Sequence, residues 1–290
     1  MAGGFRRWHR AMADGERGYV AGPEPARTVL LAPDEPPPFE ILEAGRPGPV
    51  LLVCDHASRF IPRGLADLGL DRATLDRHVA WDPGAAAVTR LLAARLHAPA
   101  VLSHFSRLII DPNRPLDDPE SIREVSDGVE VPGNRGLGPA ERQARADTFF
   151  FPYQNAIGAR IDRIVHAGAT PVVVSIHSFT PALAVGGGHR PWQVGILWDE
   201  DARLARPVID LLRRRHGVAV GDNEPYTGRS PHAYTMPIHC YERGIPGVLF
   251  EIRQDLIAEP GGIAHWADIV GDVLERVLAE FHPDDKGADS

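Results

Sequence analysis

Cysteine is scarce in this sequence. Cys54 and Cys240 are the only two in 290 residues, both in apolar surroundings and neither in a CxxC pair. That excludes a disulfide framework and suits a reducing, cytoplasmic compartment. No uninterrupted apolar run approaches the ~18 residues a membrane-spanning helix needs, so no membrane partner is expected. The opening stretch, "MAGGFRRWHRAMADGERGYVAGPEPARTV", has no continuous apolar segment and no secretory pattern. Clustered positive charge is missing too. The net charge is −8 and the arginines are scattered, which argues against nucleic acid as a partner. HExxH is absent, so this is not a helix-borne zinc protease, and the glycines of "GGGHRP" (186–191) follow neither GxGxxG nor the P-loop spacing.

What is present is ordinary soluble-protein composition, 43% apolar and 24% charged. A chain of this length buries roughly 75% of its unfolded surface, enough for a sizeable core. Residues 1–37, rich in Gly, Pro, Arg and Glu and closed by "APDEPPPFE", read as an N-terminal extension. Residues 38–282 read as one α/β domain and 283–290 as a flexible tail. Short apolar runs alternate with amphipathic ones. "GPVLLVCDH", "PAVLSHFSRLIID", "TPVVVSIHSF", "WQVGILWD", "VAVGDNEPY" and "GIPGVLFEIRQDLI" read as strands. "GAAAVTRLLAARLHA", "AERQARADTFFFPYQNAIGARIDRIVHAG", "DARLARPVIDLLRRRHG" and "GIAHWADIVGDVLERVLAEF" read as helices, and "LDRATLDRHVAWD" as helical at its start. The alternation predicts a three-layer α/β/α sandwich on a mostly parallel mixed sheet. The Pro/Gly/Asp-rich segment 111–141 predicts a long loop, of the kind that is either functional or disordered.

In open α/β sheets ligands bind beyond the carboxyl ends of the strands. Three strand-like runs, "LLVCDH", "VVVSIH" and "VLFE", end on an ionisable residue. If the strands are parallel, His56, His177 and Glu251 share one rim. Two histidines and a carboxylate make a common zinc set with an open position for water, and a separate glutamate beside that water serves as general base. "SRLIIDPNRP" fits neither helix nor central strand and projects Arg114, whose fork suits a carboxylate; the plainer reading pairs Arg114 with Asp117 or Asp118. His239 in "MPIHCYERG" reads as a satisfied core histidine, Ser178 as a residue that orients the ligand, and Tyr226 in "DNEPYTG" as a substrate contact.

"VLLVCDHASRFIP", "HVAWDPGAAAV", "SRLIIDPNRP", "SIHSFTP" and "FEIRQDLI" stand in an order that resembles the N-formylglutamate amidohydrolase family, over roughly residues 40–275. That family is similar in fold to zinc carboxypeptidases and aspartoacylases. The resemblance implies a zinc-dependent amidohydrolase, a deformylase of an N-acyl acidic amino acid. It implies His56 and His177 as zinc ligands, Arg107 polarising the scissile carbonyl, Asn113 and Arg114 holding the substrate carboxylate, and Glu251 activating water. A deacylase or peptidase with another acyl group, and a catalytically silent relative that binds an acidic metabolite, are the alternatives.

One departure stands out. The carboxypeptidase pattern is HxxE, and here that position is Arg59, which cannot ligate a metal. Three residues compete for the place, and Asp82 is the one expected to fill it. Asp82 sits in the family's own motif, although it also stands where an N-cap of the following helix would, with Pro83 after it. His78, four residues earlier, would share a helical face with Asp82. Asp55 adjoins His56, but adjacent strand residues point to opposite faces, which makes it an orienting neighbour.

Overall fold

Each central strand is built from aliphatic residues buried on both faces, which is why it reads as a continuous apolar run rather than an alternating one. In Val50–Cys54 all five residues are buried. The computed structural model describes residues 29–44, 48–229 and 231–281. Its strands are β1 (Phe39–Leu42), β2 (Val50–Cys54), β3 (Ala100–Ser103), β4 (Val125–Ser126), β5 (Val129–Glu130), β6 (Val172–Phe179), β7 (Val194–Leu197), β8 (Val220–Asp222) and β9 (Gly247–Arg253). Seven of them form one sheet in the order β1-β3-β2-β6-β9-β7-β8. β3, β2, β6 and β9 run parallel. β1 is antiparallel to β3, and β7 is antiparallel to β9 and parallel to β8.

Side-chain alternation divides each strand between two cores. Leu52 and Cys54 join one core with α2 (Ala85–Leu96), α5 (Ala205–His216) and α7 (Pro260–Glu280). Leu51 and Val53 join the other, beneath α4 (Phe151–His166), which follows the short helix α3 (Pro139–Arg145) in the chain. The result is the expected mixed, mostly parallel sheet with helices on both faces. Leu51 and Leu52 are fully buried, and truncating either to Ala costs ~2–5 kcal/mol.

Several local features differ from expectation, each for a physical reason. β1 lies just beyond the proline run, where the sequence pattern predicts no strand. It is an edge strand, where a proline run next to the strand interrupts no ladder on the outer side. The long loop carries a small hairpin, β4–β5, turning at Asp127 and Gly128, both with positive φ. A five-residue π-helical turn, Ala146–Phe150, separates α3 from α4. It falls just before Pro152, whose ring lacks an N–H and crowds the carbonyl four residues back.

"LDRATLDRHVAWD" makes only the short helix α1 (Arg72–Leu75), N-capped by the Asp71 side chain, and then turns. His78 and Asp82 therefore do not share a helical face. Of the predicted extension, residues 1–28 lie outside the described residues, as does the predicted 283–290 tail. Leu30 and Leu31 pack against the second core, and Glu35 accepts from the Arg63 backbone at 2.8 Å.

Strand order reverses between β2 and β6. β2 leads through α2 to β3 on one side, while β6 and β9 lie on the other. The carboxyl ends of these four parallel strands open onto a common crevice, the usual ligand position in such sheets.

Candidate active site

His56 follows β2 by two residues, and His177 and Glu251 are direct register partners on β6 and β9. The last two lie within their strands, which continue to Phe179 and Arg253, rather than at strand ends. Asp82 comes from the turn before α2. Its backbone N–H donates to the His56 carbonyl at 2.9 Å, and Ser178 N–H donates to Asp82 Oδ2 at 3.2 Å. The helix that follows is capped by Gly84 without a side-chain bond, so the Asp82 carboxylate is not an N-cap. Gly84 has φ +83°, and a Cβ there would lie 2.3 Å from the Ile257 carbonyl oxygen, so the tight turn that aims Asp82 inward requires glycine.

His56, Asp82 and His177 form a buried group whose ligand atoms all lie within 4.8 Å of one another, a set that could hold a metal ion. Neither alternative third ligand joins it. His78 pairs with Asp127 at 3.1 Å, and Asp55 faces the far side of His177. Arg59 turns away, pairing with Asp76 and lying over the Trp81 ring.

The hydrogen-bond pattern tests the fit to a metal. Asp82 Oδ2 lies 3.3 Å from His56 Nδ1 and 2.9 Å from His177 Nδ1. The opposite ring nitrogens face other buried carboxylates: His56 Nε2 lies 2.8 Å from Asp111 Oδ1, and His177 Nε2 lies 3.0 Å from Asp55 Oδ2. Imidazoles that donate Nε2–H to carboxylates present Nδ1 lone pairs, which is how ligating histidines are usually held. Two such lone pairs and a carboxylate oxygen then converge on one point, an arrangement that positive charge stabilises. The residues therefore fit a divalent cation. Electrostatics agree. Burial opposes charge on Asp82, but His56 and His177 outweigh it and hold the carboxyl far below its usual range. Burial likewise opposes charge on His177, but the Asp55 and Asp82 carboxylates raise the ring well above its usual value.

Asp111 was missed in the sequence. It belongs to the same "DPNRP" turn that supplied Asn113 and Arg114, and its signal was its place in that turn. Arg107 holds it, with Nε at 3.2 Å and Nη2 at 2.8 Å from Asp111 Oδ2, while Nη1 reaches Asp82 Oδ1 at 3.3 Å. The fork expected at the substrate carbonyl thus contacts two carboxylates.

The other expected residues line the same cavity of about 250 Å³. Asn113 Oδ1 accepts from the Tyr234 and Thr235 backbone N–H groups, which fixes the amide orientation; its Nδ2 has no partner among the described residues. Arg114 Nη1 donates to the Asn113 and His232 carbonyls, and no carboxylate pairs with Arg114 among the described residues, Asp117 and Asp118 included. Tyr226 is half-exposed at the mouth, where its hydroxyl accepts from Arg190 at 3.1 Å. Glu251 is only 7% exposed, and its Oε2 has no hydrogen-bond partner among the described residues. Burial, with Asp82 nearby, pushes its carboxyl up to about 7 against the pull of His177 and His56. His239 is a core histidine, its Nε2 2.7 Å from Gln154 Oε1.

This chain matches the family model described as N-formylglutamate amidohydrolase over residues 48–258. The crystal structure of a gene product from Agrobacterium tumefaciens is similar with a TM-score of 0.82 and 37% identity, over 87% of this chain and 98% of that one. The crystal structure of N-formylglutamate amidohydrolase from Ralstonia eutropha JMP134 shares the fold, with a TM-score of 0.65 and 21% identity over 84% of this chain and 97% of that one. No curated protein matches the chain. Among the described residues no helix is long and apolar enough to cross a membrane. With a family match running from just before β2 to just past Glu251, the chain belongs to the N-formylglutamate amidohydrolase family and is a hydrolase of amide bonds.

Proposed function

We propose that this protein is a zinc-dependent amidohydrolase that removes the formyl group from an N-formylated acidic amino acid such as N-formylglutamate. The observation that carries the reading is one cavity in which two imidazoles and a carboxylate converge beside a buried glutamate with a free oxygen. His56, Asp82 and His177 would hold the zinc ion, which when bound supplies Lewis acidity to the formyl oxygen and acidifies water.

The protein's own groups do the rest. Glu251 takes a proton from the attacking water at Oε2 and returns it to the leaving nitrogen. A base held near neutrality suits both transfers. Arg114 and Asn113 Nδ2 bind the substrate carboxylate with donors that no acidic side chain of the described residues occupies. Arg107 anchors Asp111, and its Nη1, the longest of its three contacts, is the arm left for the developing oxyanion. The cavity, at about 250 Å³, lies below the ~300–1,000 Å³ of drug-sized pockets and suits a single amino acid.

A panel of N-formyl, N-acetyl and N-carbamoyl amino acids on zinc-replete protein tests this. The highest kcat/KM is expected for N-formyl acidic amino acids. Zinc-replete protein that hydrolyses no N-formyl amino acid would sink the reading.

A further inference from the structure

Behind His177, away from the cavity, lies a closed chain of buried polar groups that the reaction does not use. Asp55 Oδ1 is 2.8 Å from the Tyr153 hydroxyl and 2.8 Å from Thr235 Oγ1. Thr235 Oγ1 is in turn 3.1 Å from Gln154 Nε2, which also lies 2.8 Å from the Pro112 carbonyl. Asp55, Tyr153 and Thr235 are fully buried.

Every proton in this chain has one allowed place. The Pro112 carbonyl can only accept, so the nitrogen of the Gln154 amide faces it and the oxygen faces His239. Gln154 then spends its two amide hydrogens on Pro112 and Thr235. Thr235, accepting from Gln154, directs its own hydrogen to Asp55. Tyr153 does the same. With two hydroxyls on Oδ1, the Asp55 carboxylate turns Oδ2 to His177 Nε2, 3.0 Å away. His177 Nε2 therefore carries a hydrogen, which leaves Nδ1 as the nitrogen whose lone pair a cation beside Asp82 would take up.

We propose that Asp55, oriented by the Tyr153 and Thr235 hydroxyls, is a positioning residue that locks His177 as its Nε2–H tautomer and so sets how tightly the metal is held. The inference rests on the reading of His177 as a metal ligand. The supports of the two histidines differ in kind. Asp111, behind His56, is ion-paired to Arg107. Asp55 is held by neutral hydroxyls, so its charge acts on His177 without a competing cation. Partners of this kind orient a ligating ring and raise its basicity, and losing one typically costs ~10–100-fold in metal affinity.

The test is the zinc affinity of the purified full chain, measured by competition with a chelator, with folding checked by thermal melting. Wild type should bind one zinc. Asp55→Asn should bind ~10–100-fold more weakly. Thr235 separates positioning from packing should the Asp55 variant fail to fold. Thr235→Val keeps the shape and loses the hydroxyl, whereas Thr235→Ser keeps the hydroxyl and loses a methyl. The proposal expects the Val variant to lose affinity and the Ser variant to stay with the wild type. The hydrogen-bonded His177 Nε2–H signal in the nitrogen-15 spectrum should persist in Thr235→Ser and weaken or shift in Thr235→Val. The reverse order of affinities, or a folded Asp55→Asn with wild-type affinity, would overturn the proposal while leaving zinc at His177 intact. Wild-type protein that binds no zinc would overturn the metal reading and this inference with it.

Discussion

On the floor of the cavity, all four ring nitrogens of His56 and His177 face carboxylates, whereas on its wall Glu251 Oε2, Asn113 Nδ2 and the Arg114 fork have no charged partner among the described residues. The floor is fixed from behind by Asp111 and Asp55, and within it Asp82 shares one point with both Nδ1 atoms, where a cation would sit. Burying a polar atom without a partner costs roughly 1–3 kcal/mol, and Glu251 bears such a cost at 7% exposure. The contrast teaches a division of labour. Groups whose valences are filled hold geometry, and groups whose valences are left open meet the substrate.

Four substitutions break or sharpen that contrast. The largest effect is expected on the floor. Asp82→Ala leaves two imidazole Nδ1 atoms without their shared partner, so stoichiometric zinc and turnover should disappear together. Metal analysis after gel filtration reads this, and full zinc occupancy would count against Asp82 as a ligand. On the wall, Glu251→Gln should keep zinc and lower kcat by ~10²–10⁴-fold, the usual share of a general base. Substantial turnover in that variant would remove Glu251 from the proton path.

Arg114→Ala should act on binding. Losing a hydrogen bond to a charged group, worth ~1.5–3 kcal/mol, predicts a rise in KM of about 10–150-fold, with kcat much less affected. An N-formyl amine lacking the carboxylate should be indifferent to the change, and equal losses for both compounds would argue against a carboxylate clamp. The smallest effect is expected outside both regions. Arg59 pairs with half-exposed Asp76 and stacks on Trp81, so Arg59→Ala should shift stability by no more than ~0.5 kcal/mol and leave zinc content unchanged.

Much of the wall and the inner floor is legible in the sequence. His56, His177 and Glu251 each follow or interrupt a buried aliphatic run, and parallel pairing of such runs brings their ends to one rim. The register of His177 with Glu251 is the direct expression of that pattern. Asp82 was legible as one of three candidates, and the turn at Gly84 excluded the reading of it as a helix cap. The support behind the floor was not legible. Asp111 looked like one more turn residue beside Asn113 and Arg114, and Asp55 like a neighbour of His56, whereas its carboxylate serves His177. β1 was hidden because an edge strand of four half-buried residues carries little periodic signal next to a proline run.

Local order in the chain was enough to determine the central strands, their buried faces and the ionisable groups that could meet, because each of these depends on neighbours within a few residues. Only the tertiary structure decided which carboxylate faces which imidazole nitrogen. Tyr153 and Thr235 meet Asp55 across 98 and 180 residues, and no periodicity links positions so far apart. Packing of α4 and of the Thr235–His239 helix against the sheet brings them together, and with them the tautomer of His177.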